Sequence, residues 1–346
     1  MSPDQRAREF GWIAALTCLA LLVLLDIGLD SSIAVLTGLY ALAPLIACAV
    51  LPTSSTALVA SLALAAAVTS GWWNDTATTT QHWVRVVGVL LIGTAAVLIA
   101  AVRVRRERRI SELAQIAEVA QRAILPVLPA VVGSVDVEAR YESAVEGALV
   151  GGDLFDCYHD ADVTRFLIGD VRGKGIGGVE QAARVIRAFR QAAARRSTLV
   201  DVAEDMNDYL TPFFDDEEFV TALLVEAVGP DHLLLVSAGH PPALLLRQGA
   251  ALETVEVPQG LPLGTGLPAS YEGAELAWST GDRLLLYTDG LSEARDGGGE
   301  FLDLASLTPE LAGPDPLDGV LEAVRSHVRR GRLGDDLALV LLERTD

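Results

Sequence analysis

Four long apolar runs in the first hundred or so residues constrain this chain more than any other feature. They cover about Phe10–Gly28, Ile33–Leu51, Thr56–Trp73 and Trp83–Val104. Each is near the roughly 20 residues that cross a ~30 Å hydrocarbon layer as a helix. Soluble core helices rarely run so far without a charge, so about four transmembrane helices are expected. Ser, Thr and Gly interrupt the third run and weaken its pattern. The first run follows Arg6 and Arg8 as a secretory leader would, but three more apolar runs and no clear cleavage site favour an uncleaved helix.

Arginine placement sets an expected orientation. Arg6 and Arg8 precede the first run, and Arg103, Arg105, Arg106, Arg108 and Arg109 follow the fourth. The segment Asn74–His82 has no Arg or Lys. The positive-inside rule then puts both termini in the cytoplasm of a multi-pass cell-membrane protein, with Trp72, Trp73 and Trp83 at the outer interface. Asp26 is expected at the interface near Asp30 rather than as a buried functional carboxylate. Cys18, Cys48 and Cys157 form no disulfide or metal pattern and read as core residues.

Arg105–Leu125 reads as a helix that Pro126 and Pro129 end. Ile110, Leu113, Ala117, Ala120 and Ile124 share a 3-4-3-4 stripe. The stripe suits a two-stranded coiled coil, hence a homodimer, or equally a face packed on the chain's own next domain. The expected organisation is a membrane region over 1–104, a helical connector over 105–126 and a globular domain over 127–346.

Beyond the connector the pattern changes to strands: Ser134–Ser143, Val163–Val171, Phe219–Val228, His232–Ala238, Ala243–Arg247, Arg283–Thr288 and Leu337–Leu342. Helical patterns cover Gly178–Arg195, Leu199–Leu210 and Leu317–Arg330. Successive strands with helices grouped between them predict an α+β layered fold. Charge divides the same way. Residues 1–109 carry 8 Arg and 6 acidic residues, and the rest carry 18 basic and 40 acidic, a net of −22. Such a domain repels a phosphate backbone, so nucleic acid is not an expected partner.

Asp153, Asp170, Asp289 and the pair Asp335-Asp336 each stand at a strand terminus, mostly beside glycine. One Asp-Gly is ordinarily a turn, but four such places make a stronger pattern. Ionised carboxylates at buried strand ends need a counter-charge, and Arg172 and Lys174, the only lysine, are the main basic residues close by in the sequence. Oxygen ligands without His or Cys point to hard cations such as magnesium or manganese.

Six motifs then occur in order: Gly151-Gly152-Asp153-Leu154-Phe155-Asp156, Gly169-Asp170-Val171-Arg172-Gly173-Lys174-Gly175, Phe219-Val220-Thr221-Ala222, Ser237-Ala238-Gly239-His240-Pro241-Pro242, Tyr287-Thr288-Asp289-Gly290 and Asp335-Asp336. Each is weak alone. As an ordered set over about Ile116–Glu343 they resemble the SpoIIE-like branch of the bacterial PPM-type (type-2C) protein serine/threonine phosphatases. The resemblance implies a layered α/β-β/α sandwich with two divalent cations, manganese or magnesium, at one end. It implies Asp153, Asp170, Asp289 and Asp335 as metal-site carboxylates, with Asp336 as a substitute for Asp335 and the Val171 carbonyl completing one shell. Asp170 and Asp289 are the residues expected to matter most for turnover, in which the ions activate a water for in-line attack on phosphorus. Leu154 replaces the family's usual aromatic and Ala338 its frequent Thr; neither change removes a ligand. His240 is expected to be structural.

The resemblance implies a phosphoserine or phosphothreonine protein substrate in trans, of the anti-anti-sigma type, for an enzyme held in the lipid bilayer. A membrane signal acting through the connector is a further expectation. Two readings compete. Gly151–Phe155 is also similar to the GGDEF box of cyclic-dinucleotide synthases, but Leu154 stands where that box needs an acid. The other is a catalytically silent, membrane-tethered signalling or binding module, against which the intact carboxylate set argues.

Overall fold

Apolar runs with few charges have no stable alternative to helix in an apolar medium, because every backbone polar group must be paired within its own segment. The computed structural model describes residues 3–28, 36–144, 151–160, 163–173, 176–215, 217–229, 231–328 and 333–345. It divides into two units, Met1–Ile110 and Ser111–Asp346.

The first unit holds helices α1 (Pro3–Gly28), α2 (Leu42–Val50, entered through a 3-10 turn over Thr37–Ala41), α3 (Thr53–Trp73) and α4 (Thr80–Ile124). Three stretches are long and apolar enough to cross a membrane: Gln5–Gly28, Thr53–Trp73 and Thr80–Leu113. Their packing is inside-out relative to a soluble domain. Ala15, Ala43, Ala47, Ala63 and Ala67 are buried, while Phe10, Leu24, Leu58, Leu91 and Leu98 face outward. Small residues inside let helices approach closely, and large ones outside suit a hydrocarbon surround.

The second apolar run differs from expectation. Among the described residues it forms only Thr37–Val50, a five-residue 3-10 turn and a nine-residue α-helix, about 23–24 Å long in all. Leu51 turns extended (φ −83°, ψ 152°), as the residue before a proline prefers, and Pro52 starts α3 instead. The third run, weakest in sequence, is a continuous helix of 21 residues. The fourth run and the connector form one helix of 45 residues. Ile110 and Leu113 are exposed on it; the side chains of Ala117, Ala120 and Ile124 lie outside the described residues.

Asp26 corrects another expectation. It is fully buried, although Asp30 lies outside the described residues. Its carboxylate accepts from Leu36 N (2.6 Å), Tyr40 Oη (2.7 Å), Trp73 Nε1 (3.2 Å) and Asn74 Nδ2 (2.9 Å). The ends of α1 and α3 and the Thr37–Ala41 turn thus meet on one charge. Of the cysteines, Cys48 is buried, while Cys18 and Cys157 are half-buried, and all are free.

The second unit is a four-layer sandwich. One sheet contains β1 (Val131–Val132), β2 (Val135–Glu142), β7 (Leu244–Leu246), β8 (Glu253–Thr254), β10 (Arg283–Tyr287) and β11 (Leu337–Arg344), in the order β1-β2-β11-β10-β7-β8. The other contains β3 (Asp153–His159), β4 (Thr164–Val171), β5 (Val220–Val228), β6 (His232–Ala238) and β9 (Gly273–Ala277), in that order. Strand pairing is antiparallel throughout both sheets. Helices α5 (Ile176–Ala193) and α6 (Leu199–Leu210) cover the five-stranded sheet. Short α7 (Asp289–Ser292) and α8 (Thr308–Leu311) join α9 (Pro316–His327) on the six-stranded one.

The period of two explains the layering. In β4, Phe166 and Ile168 point between the sheets, and Leu167 and Val171 point at the helices. In β10, Leu284 and Leu286 point between the sheets and Leu285 and Tyr287 outward. Strands buried on both faces read as unbroken apolar runs. Each of these runs stops at the same end of the sandwich, on an aspartate or within two residues of one.

Candidate metal centre

The register puts the first two carboxylates side by side. β3 and β4 pair with Asp153 opposite Asp170, and β4 and β5 pair with Asp170 opposite Thr221. Asp289 arrives from the other sheet, just after β10 ends. Carboxylate oxygens of Asp153, Asp170 and Asp289 lie within 4.8 Å of one another. Asp153 is buried, while Asp170 and Asp289 are half-buried on the open side.

Backbone clearance demands glycine at two of these turns. A methyl at Gly152 would collide with the Val171 carbonyl, and one at Gly290 with the Asp336 carbonyl. Val171 itself is buried, and its N–H donates to Gly152 O (3.2 Å).

The electrostatics are unfavourable as they stand. Burial first, then the Asp170 charge, pushes the Asp153 carboxyl well above its ordinary range; a hydrogen bond from Thr288 offsets part of this. Burial, followed by the charges of Asp289 and Asp335, pushes Asp170 up to about 7. The charged side chains that act most on both are therefore other carboxylates. A set of oxygen donors that repel one another in a partly dry site suits a hard divalent cation. Asp153, Asp170 and Asp289 could hold it.

The adjacent pair at 335 and 336 splits. Asp335 is half-buried and near enough to raise Asp170. Asp336 is buried, and both its oxygens are engaged. It accepts from Ala144 N (2.9 Å), Gly151 N (2.6 Å), Ser143 Oγ (3.2 Å) and the Tyr141 hydroxyl. It thereby ties Ala144 to Gly151, two residues before Asp153. Arg172 lies over the Phe219 ring, 5.3 Å from its centroid; Lys174 lies outside the described residues.

Residues given no ligand role in the sequence support the carboxylates, His240 among them as the structural residue it was expected to be. Thr288 is fully buried, donates to Asp153 Oδ2 (2.6 Å) and accepts from Ala338 N (2.9 Å). Thr221 and His240 lie beneath Asp170 and are hydrogen-bonded to each other. Their signal was present in the motifs Tyr287–Gly290 and Phe219–Ala222, but nothing local marks which neighbour they serve.

A profile of the SpoIIE family, described as Stage II sporulation protein E, matches residues 160–345. The phosphoserine phosphatase RsbP of Bacillus subtilis is 24% identical over 216 residues, 60% of this chain and 52% of the relative. The chain thus spans about half the length of this curated relative. The solved RsbU and RsbW domains of a Mycobacterium tuberculosis protein are 27% identical, with a TM-score of 0.53, over 62% of this chain and 61% of that one. The SiaA-PP2C domain of Pseudomonas aeruginosa shares the fold with a TM-score of 0.58 at 18% identity, covering 71% of this chain and all of that one.

Proposed function

The chain belongs to the SpoIIE family, and on that footing we propose that it is a metal-dependent protein serine/threonine phosphatase held at a membrane. The observation that carries this reading is the convergence of Asp153, Asp170 and Asp289 from two sheets onto one point. Similarity to RsbP, named a phosphoserine phosphatase, supports the reaction class.

Two divalent cations, manganese or magnesium, would be held by Asp153, Asp170, Asp289 and Asp335, with the Val171 carbonyl beside them. Bound there, such ions lower the pKa of water and neutralise phosphoryl charge. The protein's own residues supply the geometry. Asp170, paired with Asp153 on its own sheet and close to Asp289 from the other, would be the carboxylate shared by the ions. Thr288 aims Asp153 through one hydrogen bond. Asp336, whose oxygens accept from Ala144 N and Gly151 N, is assigned to hold the chain at those two residues, and Asp335 takes the ligand role. Half-burial of Asp170 and Asp289 leaves the phosphoryl group a way in from solvent.

The substrate is a regulatory protein carrying phosphoserine or phosphothreonine, of the anti-anti-sigma type, acting in trans. The membrane region covers 1–104, the connector 105–126 and the phosphatase domain 127–346. Arginines flanking the first and fourth runs support a cytoplasmic phosphatase domain, and exposed Ile110 and Leu113 on α4 support a homodimer through the connector.

The test uses full-length protein in lipid nanodiscs with a phosphoserine protein and a small aryl phosphate. Turnover that needs manganese, stops with chelator and is lost in Asp289→Asn is expected. Turnover insensitive to chelator would overturn the mechanism, and no turnover at all would favour a silent binding module.

A further inference from the structure

The carboxylates of the centre come from two sheets, and the layer between those sheets is apolar: Phe155, Phe166, Ile168, Leu223, Val225, Leu284, Leu286 and Val340. Apolar contact is non-directional. It holds two sheets face to face but sets their sliding offset only loosely, whereas a metal centre needs its ligands within a fraction of an ångström. Some directional contact has to fix the sheets at the metal end.

His240 sits at that end and is buried. It follows β6 through Gly239, whose φ of +72° turns the chain back toward the neighbouring strand, where Gly239 bridges Ala222 of β5. His240 Nε2 lies 3.1 Å from the Tyr287 carbonyl oxygen, and Nδ1 lies 3.0 Å from Thr221 Oγ1. A carbonyl only accepts, so Nε2 carries the proton and Nδ1 accepts from the Thr221 hydroxyl. Burial lowers the imidazole pKa to about 4, which keeps this single neutral tautomer at physiological pH. The two partners are placed tellingly. Thr221 is the register partner of Asp170. Tyr287 ends β10, two residues before Asp289.

We propose that His240 is a positioning residue for the acidic centre: by bridging Thr221 Oγ1 and the Tyr287 carbonyl, it fixes the separation of the strand ends that carry Asp170 and Asp289. The proposal rests on the metal-centre reading above. It assigns the imidazole no proton transfer and no contact with substrate.

The experiment measures manganese affinity directly, from the signal of free manganese in electron paramagnetic resonance, on full-length protein in nanodiscs. Melting in chelator is recorded alongside. Groups that orient metal ligands typically change affinity 10–100-fold when removed. His240→Phe keeps the ring but loses both bonds, and should weaken manganese binding by about tenfold or more. Thr221→Val, which cuts one end of the bridge, should weaken it less. His240→Gln can still reach the Tyr287 carbonyl and should recover part of the loss. Val225→Ala, a cavity in the same inter-sheet layer, should lower the melting temperature and leave manganese affinity unchanged. If His240→Phe fails to fold, Thr221→Val and His240→Gln carry the test. Folded bridge variants that bind manganese as the wild type does, whatever their melting temperature, would overturn the proposal. Wild-type protein that binds no manganese would overturn the metal-centre reading itself, a separate and recognisable failure.

Discussion

Asp26 in the helical unit and the Asp153–Asp170–Asp289 group in the sandwich are both carboxylates withdrawn from solvent, and they are treated in opposite ways. Asp26 receives four donors from a backbone amide, a tyrosine, a tryptophan and an asparagine. Asp153 and Asp170 are pushed up first by burial and then by neighbouring carboxylates, Asp170 for Asp153 and Asp289 and Asp335 for Asp170. Only part of this is offset, by hydrogen bonds from Thr288 to Asp153 and between Asp153 and Asp170. A buried charge that the protein fully satisfies is a fastener. A cluster left mutually repelling, at the open end of a fold, is a place that something cationic completes. Asp336 repeats the first pattern a few residues from the second, with its oxygens turned to the N–H groups of Ala144 and Gly151. Burial alone therefore says little about function; the source of the compensation says more.

The comparison breaks most visibly at Asp170. Asp170→Asn should cut manganese-dependent turnover by three or more orders of magnitude, at least about 4 kcal/mol of transition-state stabilisation. It should also raise the melting temperature in chelator, because it removes a repelling charge. A lower melting temperature there would contradict the electrostatic account. Asp26→Ala should do the reverse. It leaves buried donors without their acceptor and should cost about 3 kcal/mol or more, read as a loss of thermal stability in nanodiscs with manganese affinity intact. Asp336→Asn sets an amide NH2 against the N–H of either Ala144 or Gly151, whichever faces the oxygen it replaces. A loss of about 1–3 kcal/mol is expected, with turnover falling because Gly151, next to the start of β3 and Asp153, is held less firmly.

The smallest effect is in pH. The folded-state carboxyls of Asp153 and Asp170 lie above the ordinary range, Asp170 at about 7. Between about pH 4 and about pH 7 the folded chain thus holds protons that the unfolded chain has released. Stability in chelator should decline as pH rises through that window, and manganese should shrink or reverse the decline. Melting curves across the window, with and without the ion, check the sign.

Much of this was legible in sequence because it is local. α6 follows the predicted Leu199–Leu210, β5 and β6 follow the predicted Phe219–Val228 and His232–Ala238, and β4, β10 and β11 follow runs whose ends carry the aspartates. The layered α+β class followed from their succession. β9 was missed because it is an edge strand of mostly small residues around one glutamate, Gly273-Ala274-Glu275-Leu276-Ala277, with no apolar run. The second apolar run ends where the sequence placed it, at Leu51 before Pro52, and among the described residues its helical part begins only at Thr37. The donors of Asp26 and Asp336 were illegible for another reason. Trp73 is 47 residues from Asp26 and Gly151 is 185 from Asp336, so only the fold brings them together. For the same reason the motifs marked the carboxylates but not the Thr288 and His240 contacts that join two sheets.

The most direct test of the central claim is a manganese-edge anomalous difference map from crystals of the protein grown with manganese. The account predicts strong peaks among Asp153, Asp170 and Asp289, reaching Asp335, and their loss in Asp170→Asn. A well-ordered cluster with no anomalous peak, its carboxylates paired instead with protein cations or simply protonated, would contradict it.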